Sequence, residues 1–505
     1  MSEKKATSFF EFPEGVAYEI FIQSWADSNG DGIGDFKGAT EKLDYLQDLG
    51  ISAVWLMPIM PSPSYHKYDV TDYEAIHPDY GTMQDFKTFL AEAHKRGIKV
   101  VIDMIINHTA ADHHWFQEAK KGKNNPYRDY YVWANKESIA DQIAKKEVTQ
   151  DSDNITQWHP VDDKKENEHY YGFFWGGMPD LNFDNPEVRK EIYEISRFWL
   201  EDIGVDGFRL DAAKHIFPDD RLIDSYEFWR EYRDEMRKIK PDVYLVGEVW
   251  ASSDVVKEFA KGLPALFNFD LAGSIQQSVI QGKNVASTIE GPKWVNLENE
   301  DLISRLIKQR EVFKSATEDY HDAIFLSNHD QNRVMSNFTG DIKRAKMAAS
   351  ILLTLPGTPY IYYGEEIGML GKKPDPNIRE PFLWKERASD SLRSEWIQPD
   401  FSTDEKVQPL HTQMQNEHSL WRHYQKWIHV RNNSEILTKG ELEEFQNRNT
   451  ALLTFTRVLG EKKLHVIHNL SENPQDLDIQ PSAILIGKEN IQNNRINAYS
   501  TIVFK

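Results

Sequence analysis

Eight short apolar runs recur along the chain, each bounded by turn residues and followed by an amphipathic helical pattern. They read as strands at Ala17 to Ile22, Ala53 to Met57, Lys99 to Ile106, Gly207 to Asp211, Tyr244 to Val249, Ala265 to Phe269, Ala323 to Ser327 and Pro359 to Tyr363. Strand and helix alternating in this way build a parallel sheet, and eight such units close it into a (β/α)8 TIM barrel. The intervening helices have readable starts. Asn185 is an N-cap, Pro186 opens the first turn, and Val188, Ile192, Ile195 and Trp199 fall on one face as core. The active site of such a barrel gathers at the C-terminal ends of its strands, so polar residues closing an apolar run carry the most weight.

Two stretches depart from simple alternation. Thr109 to Asp180 is polar and rich in Lys, Asp and Asn, and too long for a loop, so residues 109–180 read as a small inserted domain after strand 3. After about residue 415 the helical pattern ends, and Ala451 to Phe455, Lys463 to His468 and Ala498 to Phe504 read as strands. Residues 416–505 are therefore expected to form a C-terminal antiparallel β-sandwich, which leaves the barrel residues 1–108 and 181–415. A chain of 505 residues needs such a division, since single cores stop growing near roughly 250–300 residues.

With 80 acidic against 59 basic residues the formal charge is −21, which repels phosphate backbones and anionic lipid. No nucleic-acid or membrane partner is expected, and the chain is read as a monomer. It has no cysteine, which excludes thiolate chemistry and disulfides. The segment MSEKKATSFFEFPEG lacks the apolar run of a signal peptide, so the chain as it stands reads as cytoplasmic. Removal of a signal peptide would make it extracellular or periplasmic.

Three acids close apolar runs. Asp211 ends GVDGFRLD, and Arg209 two residues earlier points to the same side, where a guanidinium would hold the carboxylate ionised. Glu248 follows VYLVG among Val249 and Trp250, apolar neighbours that raise a carboxyl's pKa and keep it protonated as a general acid requires. Asp330 follows FLSN beside His329. A strand-end acid alone is most often a cap for the next helix. Three on one barrel are hard to explain that way, because buried unpaired acids are costly. Glycoside hydrolysis uses a carboxyl pair across the scissile bond, roughly 5–5.5 Å apart in retaining enzymes, and a third can stabilise the oxocarbenium-like transition state.

The segments DMIINH (Asp103 to His108), GFRLDAAKH (Gly207 to His215), GEVW (Gly247 to Trp250), FLSNHD (Phe325 to Asp330) and PYIYYGEEIG (Pro359 to Gly368) resemble, in order, those of the α-amylase family, glycoside hydrolase family 13. MPDLN (Met178 to Asn182) is similar to a subfamily between oligo-1,6-glucosidases and neopullulanases. The resemblance implies Asp211 as nucleophile, Glu248 as acid/base and Asp330 as transition-state stabiliser. It places Arg209, His108 and His329 around the sugar in subsite −1, with Tyr68 as its stacking platform, Lys214 and His215 on the leaving-group side, and Asp69 among the substrate-binding residues. Trp175 and Trp250 could stack on sugar rings, although burial is the commoner fate of a lone tryptophan.

The family's exo-acting members carry a blocking acid where this chain has Tyr65, and Ala212 resembles α-1,4-specific members. Endo-type hydrolysis of starch and maltodextrins is therefore expected, with an exo-α-glucosidase, cyclodextrinase or neopullulanase as the alternative. A non-catalytic barrel subunit is the remaining one, and such proteins typically lose carboxyls that this chain keeps.

Calcium is the expected cofactor. Asp27, Asn29, Asp31 and Asp35 stand at positions 1, 3, 5 and 9 of an EF-hand-like loop, with Gly32 at 6 and Ile33 at the backbone-ligand position 7. Gly38 occupies position 12, so the bidentate Glu of a true EF-hand is missing. The resemblance implies a second calcium site at Asn107, Asp180 and the His215 carbonyl.

Overall fold

The structure, a computed structural model, describes residues 12–144, 156–161, 167–290, 293–317 and 320–505. The reading of the first eleven residues as free of a leader, and of parts of the inserted domain, therefore lies outside the described residues. Strands β1 (Ala17–Ile20), β2 (Ala53–Leu56) and β3 (Lys99–Met104) come first. The short antiparallel strands β4 (Trp133–Asn135), β5 (Trp158–Pro160) and β6 (Glu168–Tyr171) then form a sheet of their own. Next come β7 (Gly207–Leu210), β8 (Tyr244–Gly247) and β9 (Ala265–Phe267), then a hairpin of β10 (Ser287–Glu290) and β11 (Lys293–Asn296). Strands β12 (His321–Phe325) and β13 (Thr358–Tyr362) complete a closed parallel barrel of order β1-β13-β12-β9-β8-β7-β3-β2.

Parallel barrel strands are covered on both faces and read as continuous apolar runs for that reason. Outward side chains such as Tyr18, Ile20, Val54, Ile102, Phe208 and Leu245 pack under the helices. Inward ones, including Ala17, Trp55, Val101, Val246, Phe267 and Tyr360, fill the interior as a separate cluster. Every strand stops one or more residues short of its expected C-terminal end, because the last residues of each run leave the hydrogen-bonded ladder to enter the loops above it. The helix Pro186–Arg197 has Asn185 as its N-cap, accepting from the Glu187 amide, and buries Val188, Ile192 and Ile195.

Beyond residue 415 the structure differs from the sequence reading. The helices Leu420–Asn432 and Glu435–Lys439 follow, the first packed on the helix Ile342–Thr354. Its buried face carries Arg431 and Asn432 beside Trp421, Tyr424, Trp427 and Ile428, and these polar residues break the apolar periodicity. Past it, β14 (Glu441–Glu444), β15 (Leu452–Leu459) and β16 (Lys462–Asn469) precede the short β17 (Gln475–Asp476), β18 (Ile484–Ile486), β19 (Ile491–Gln492) and β20 (Arg495–Ile496). With β21 (Thr501–Phe504) they make a five-stranded and a three-stranded antiparallel sheet that enclose Leu452, Ile467, Leu477, Ile496, Ile502 and Phe504. Among the described residues no helix is long and apolar enough to cross a membrane.

Close strand approach tests this arrangement. A Cβ at Gly207 would stand 2.0 Å from the Tyr244 carbonyl oxygen, so β7 and β8 could not keep their pairing with a side chain there. Gly207→Ala should cost on the order of 3 kcal/mol of stability. A denaturation midpoint equal to the parent's would show that the barrel is not this tight at β7.

Candidate active site

The polar residues gather where the strands end. Asp103, on β3, and Arg209, on β7, are register partners across a parallel pair, and Glu248 is the residue after β8. Arg209 Nη1 donates to Asp103 Oδ1 at 2.8 Å and to Asp211 Oδ1, while Nη2 lies 2.8 Å from Glu248 Oε2. One buried guanidinium thus joins three carboxyl groups. Burial pushes the Glu248 carboxyl up to about 7 although Arg209 pulls it down, and Asp103 is pushed up to about 7 by burial in the same way.

A second chain of contacts meets the first. His329 Nδ1 is 2.5 Å from Glu19 Oε1, and its Nε2 is 2.6 Å from the Tyr68 hydroxyl and 2.9 Å from Asp330 Oδ2. Tyr68 stacks on His329 at 5.5 Å and donates its hydroxyl to Asp103 Oδ2 at 3.1 Å. Burial would lower the His329 pKa, but Asp330 and Glu19 outweigh it and raise it to about 10. Burial likewise works against the charge on Asp330, yet His329 and Arg379 hold it well below the usual carboxylate range. Arg379 reaches Asp330 Oδ1 at 2.9 Å and the His329 carbonyl at 2.9 Å.

These groups floor a cleft of about 710 Å³. Of the residues singled out in the sequence, Tyr68, His108, Asp211, Lys214, His215, Glu248 and Asp330 line it, together with Trp175 and Trp250. His108 Nε2 lies 3.0 Å from the Tyr68 carbonyl, and His215 stacks on Phe173 at 3.9 Å. Arg209 and His329 sit behind the lining and act on it through their partners. Asp69 is elsewhere: it is buried under its own loop, accepting from the Ser62 and Ser64 hydroxyls at 2.6 Å each. Tyr65 turns to Trp396, stacked at 5.2 Å, and its hydroxyl is 3.3 Å from Arg379 Nη1. Glu19, Asp103 and Arg379 were not singled out. The first two are isolated acids inside apolar strands, a pattern that could have betrayed them, whereas Arg379 lies in PNIREPF with no local signal.

The proposed metal ligands divide differently. In the loop from Asp27 to Asp35, Asp27 accepts from the Gly30 and Gly32 amides at 2.7 and 2.8 Å, and Asp31 accepts from the Ile33 amide at 2.8 Å. Asn29 accepts from the Asp31 amide at 2.9 Å, and Asp35 from the Ser28 and Gly38 amides at 2.8 Å. Each carboxylate has further lone pairs, so the hard oxygen set fits calcium chemically. At the second place, Asn107 Oδ1 is buried with no hydrogen-bond partner among the described residues, and burial raises the nearby Asp180 carboxyl to about 7. An orphaned oxygen beside a carboxyl that is costly to ionise also fits a cation. Among the described residues no three His, Cys, Asp or Glu side chains gather closely enough to hold a metal by themselves.

A closed parallel barrel with carboxyl groups sharing a cleft at its strand ends has the architecture and the acids that a glycoside hydrolase uses. Residues 19–440 match the family described as alpha amylase, catalytic domain. The chain is 42% identical over 501 residues to Alpha-amylase 3 of Dictyoglomus thermophilum, covering 98% of this chain and 93% of that protein. It is 37% identical over 462 residues to a 4-alpha-glucanotransferase of Thermotoga neapolitana, covering 90% and 96%. The crystal structure of an alpha-amylase from H.orenii superposes with a TM-score of 0.84 at 40% identity, covering 97% of this chain and 98% of that one. The chain belongs to the α-amylase family of glycoside hydrolases.

The raised His329 pKa has a consequence for stability. A group whose folded pKa lies above its ordinary value contributes fully below that ordinary value and loses the contribution as pH climbs through the folded one. The parent should therefore lose stability between pH 6.5 and about 10, the window set by His329. His329→Gln should reduce this slope in thermal unfolding recorded across that range, and an unchanged slope would detach it from His329.

Proposed function

We propose that the protein is a retaining, endo-acting hydrolase of α-1,4-glucosidic bonds in starch and maltodextrins. The observation that carries the reading is the division of labour at Arg209. Asp211 accepts from the guanidinium, while burial pushes Glu248 on the same guanidinium up to about 7, so that it can carry a proton near neutral pH.

In this mechanism Asp211 attacks the anomeric carbon and forms a glycosyl ester as Glu248 gives its proton to the departing glycosidic oxygen. Glu248, now a carboxylate, takes a proton from water, whose oxygen attacks the same carbon and releases Asp211. Two inversions give net retention. Asp330, held ionised by His329 and Arg379, supplies negative charge to the oxocarbenium-like transition state. Tyr68 offers the ring against which the bound sugar rests, and His108 lines the same end of the cleft. Endo action is supported by Tyr65, which packs on Trp396 where exo-acting members of the family carry a blocking acid. An exo-α-glucosidase, cyclodextrinase or neopullulanase would differ in products on amylose, pullulan and a nitrophenyl glucoside. The Thermotoga relative's name adds glucan transfer, in which a sugar hydroxyl replaces water in the second step.

Asp211→Asn should lower turnover on soluble starch by about 10⁴-fold or more. Activity within tenfold of the parent would remove Asp211 from the mechanism. Glu248→Gln should abolish starch cleavage yet keep some turnover of α-glucosyl fluoride, whose leaving group needs no proton. Equal losses on the two substrates would count against Glu248 as the acid.

Calcium belongs to the same proposal. Asp27, Asn29, Asp31, Asp35 and the Ile33 carbonyl would hold one ion, and Asn107, Asp180 and the His215 carbonyl a second. The ions would neutralise carboxylates and tie loops to the barrel. Calcium should raise the melting temperature of chelator-treated protein, by about 2.7 kcal/mol in stability at a hundredfold excess over Kd. Magnesium should substitute poorly, since it prefers a smaller octahedral shell and keeps its waters. A shift that disappears in Asp31→Ala locates the ion in the first loop, and one that survives moves it to Asn107 and Asp180. A melting temperature indifferent to calcium, with no ion retained by atomic analysis, would withdraw both sites.

A further inference from the structure

We propose that the hairpin β10–β11 forms a second sugar-binding wall of the cleft, with Trp294 as the stacking platform for a glucosyl unit on the leaving-group side of the scissile bond. The inference rests on the reading of the protein as an α-glucan hydrolase and adds a specificity-determining residue to it.

The hairpin follows the helix Phe269–Gln281 and pairs Ile289 with Trp294. Ile289, Lys293 and Trp294 all line the cleft. Buried polar groups hold the hairpin to the helix. The Asp270 carboxylate accepts from the Ile289 amide at 3.0 Å and the Thr288 hydroxyl at 3.1 Å, and the Ser274 hydroxyl accepts from the Ser287 amide at 2.8 Å. These bonds seat β10 on the helix independently of the Trp294 side chain.

The indole is nevertheless held in one pose. Its Nε1 donates to the Phe269 carbonyl at 3.2 Å, and its ring lies on Gly273, where a Cβ would come within 2.4 Å of Trp294 Cδ1. With its only donor spent, the half-buried ring has an apolar surface left to offer the cleft, and such a surface suits the C–H face of a glucopyranose. Phe269 also carries Trp250, stacked at 4.7 Å. Trp250 stands two residues beyond Glu248, the proposed acid, whose proton must meet the departing oxygen. Trp250 and Trp294 therefore both line the cleft and both rest on Phe269, Trp250 on its buried ring and Trp294 through its carbonyl, so the two indoles belong to one wall that starts beside the leaving group, and Lys293 adds a donor for sugar hydroxyls next to it.

The test compares the parent with Trp294→Ala and Trp294→Phe on maltoheptaose and on α-maltosyl fluoride, which places no sugar on the leaving-group side. Trp294→Ala should lose about tenfold in kcat/KM on maltoheptaose, and at least about fivefold more than it loses on the fluoride. The bond cut in maltoheptaose should shift with it, and Trp294→Phe, which keeps a ring, should recover most of the loss. Equal losses of the alanine variant on both substrates would overturn the proposal. Should that variant melt below the parent, maltotriose binding to Asp211→Asn with and without Trp294→Leu, which keeps an apolar side chain but no ring, decides: weaker binding without the ring supports the platform, and equal binding refutes it. A parent that cleaves neither substrate would refute the hydrolase reading, and the platform with it, which sets that failure apart from one confined to Trp294.

Discussion

The site hangs on the register between β3 and β7. Asp103 and Arg209 are partners in that pairing, and a slip of one residue would turn the guanidinium to the outer face of the barrel. In place, Arg209 is almost wholly buried and finds Asp103, Asp211 and Glu248 around it. Removing one partner from a buried ion pair typically costs about 3–5 kcal/mol, because the remaining charge is stranded away from water. A cluster with one cation and three acids escapes that cost only if the acids do not all ionise. Glu248 and Asp103, each raised to about 7, are the groups that give way. The same imbalance that makes the cluster tolerable therefore leaves a readily protonated carboxyl, Glu248, facing the cleft.

The second cluster alternates sign instead. Glu19, His329, Asp330 and Arg379 form a run of acid, base, acid and base in which each neighbour supports the charge of the next. Tyr68 joins the two clusters, since its hydroxyl meets both His329 and Asp103. The cleft thus brings together Asp330, held ionised well below the usual carboxylate range, and Glu248, which is readily protonated: burial raises both, but Asp330 has His329 and Arg379 to offset it, whereas Glu248 shares the single Arg209 with two other acids.

Much of this was legible in the sequence. The eight strands could be read because parallel barrel strands are apolar on both faces, and Asp211, Glu248 and Asp330 stood out because each closes such a run. The pairing of Arg209 with Asp211 followed from strand alternation alone. What stayed hidden depends on contacts between distant segments. Glu19 and His329 are 310 residues apart, and Arg379 meets Asp330 from a loop whose local sequence has no regular period. Asp69 shows the converse: next to Tyr68 it reads as a site residue, but its two oxygens accept from Ser62 and Ser64 and it does not line the cleft. The helix Leu420–Asn432 was missed because a charged residue lies on its buried face.

That charged residue shows how the C-terminal sheets bear on the barrel. The helix Ile342–Thr354 ends in buried carbonyls that no intrahelical donor can reach. Arg431 donates to the Leu353 and Leu355 carbonyls at 3.2 and 2.7 Å and also to that of Gly357, while Arg457 of β15 donates to the Thr354 carbonyl at 2.7 Å. Two guanidiniums at a helix C-terminus oppose its negative end, and burial lowers the pKa of both. Directly after these capped carbonyls runs β13, and the hydroxyls of its last residue, Tyr362, and of Tyr363 just beyond it donate to the Ile378 and Glu380 carbonyls on either side of Arg379. The hydrogen-bonded path from β15 through the helix end and β13 thus reaches the guanidinium that holds Asp330. The C-terminal domain, which contributes no residue to the cleft lining, is by this path part of what fixes its geometry.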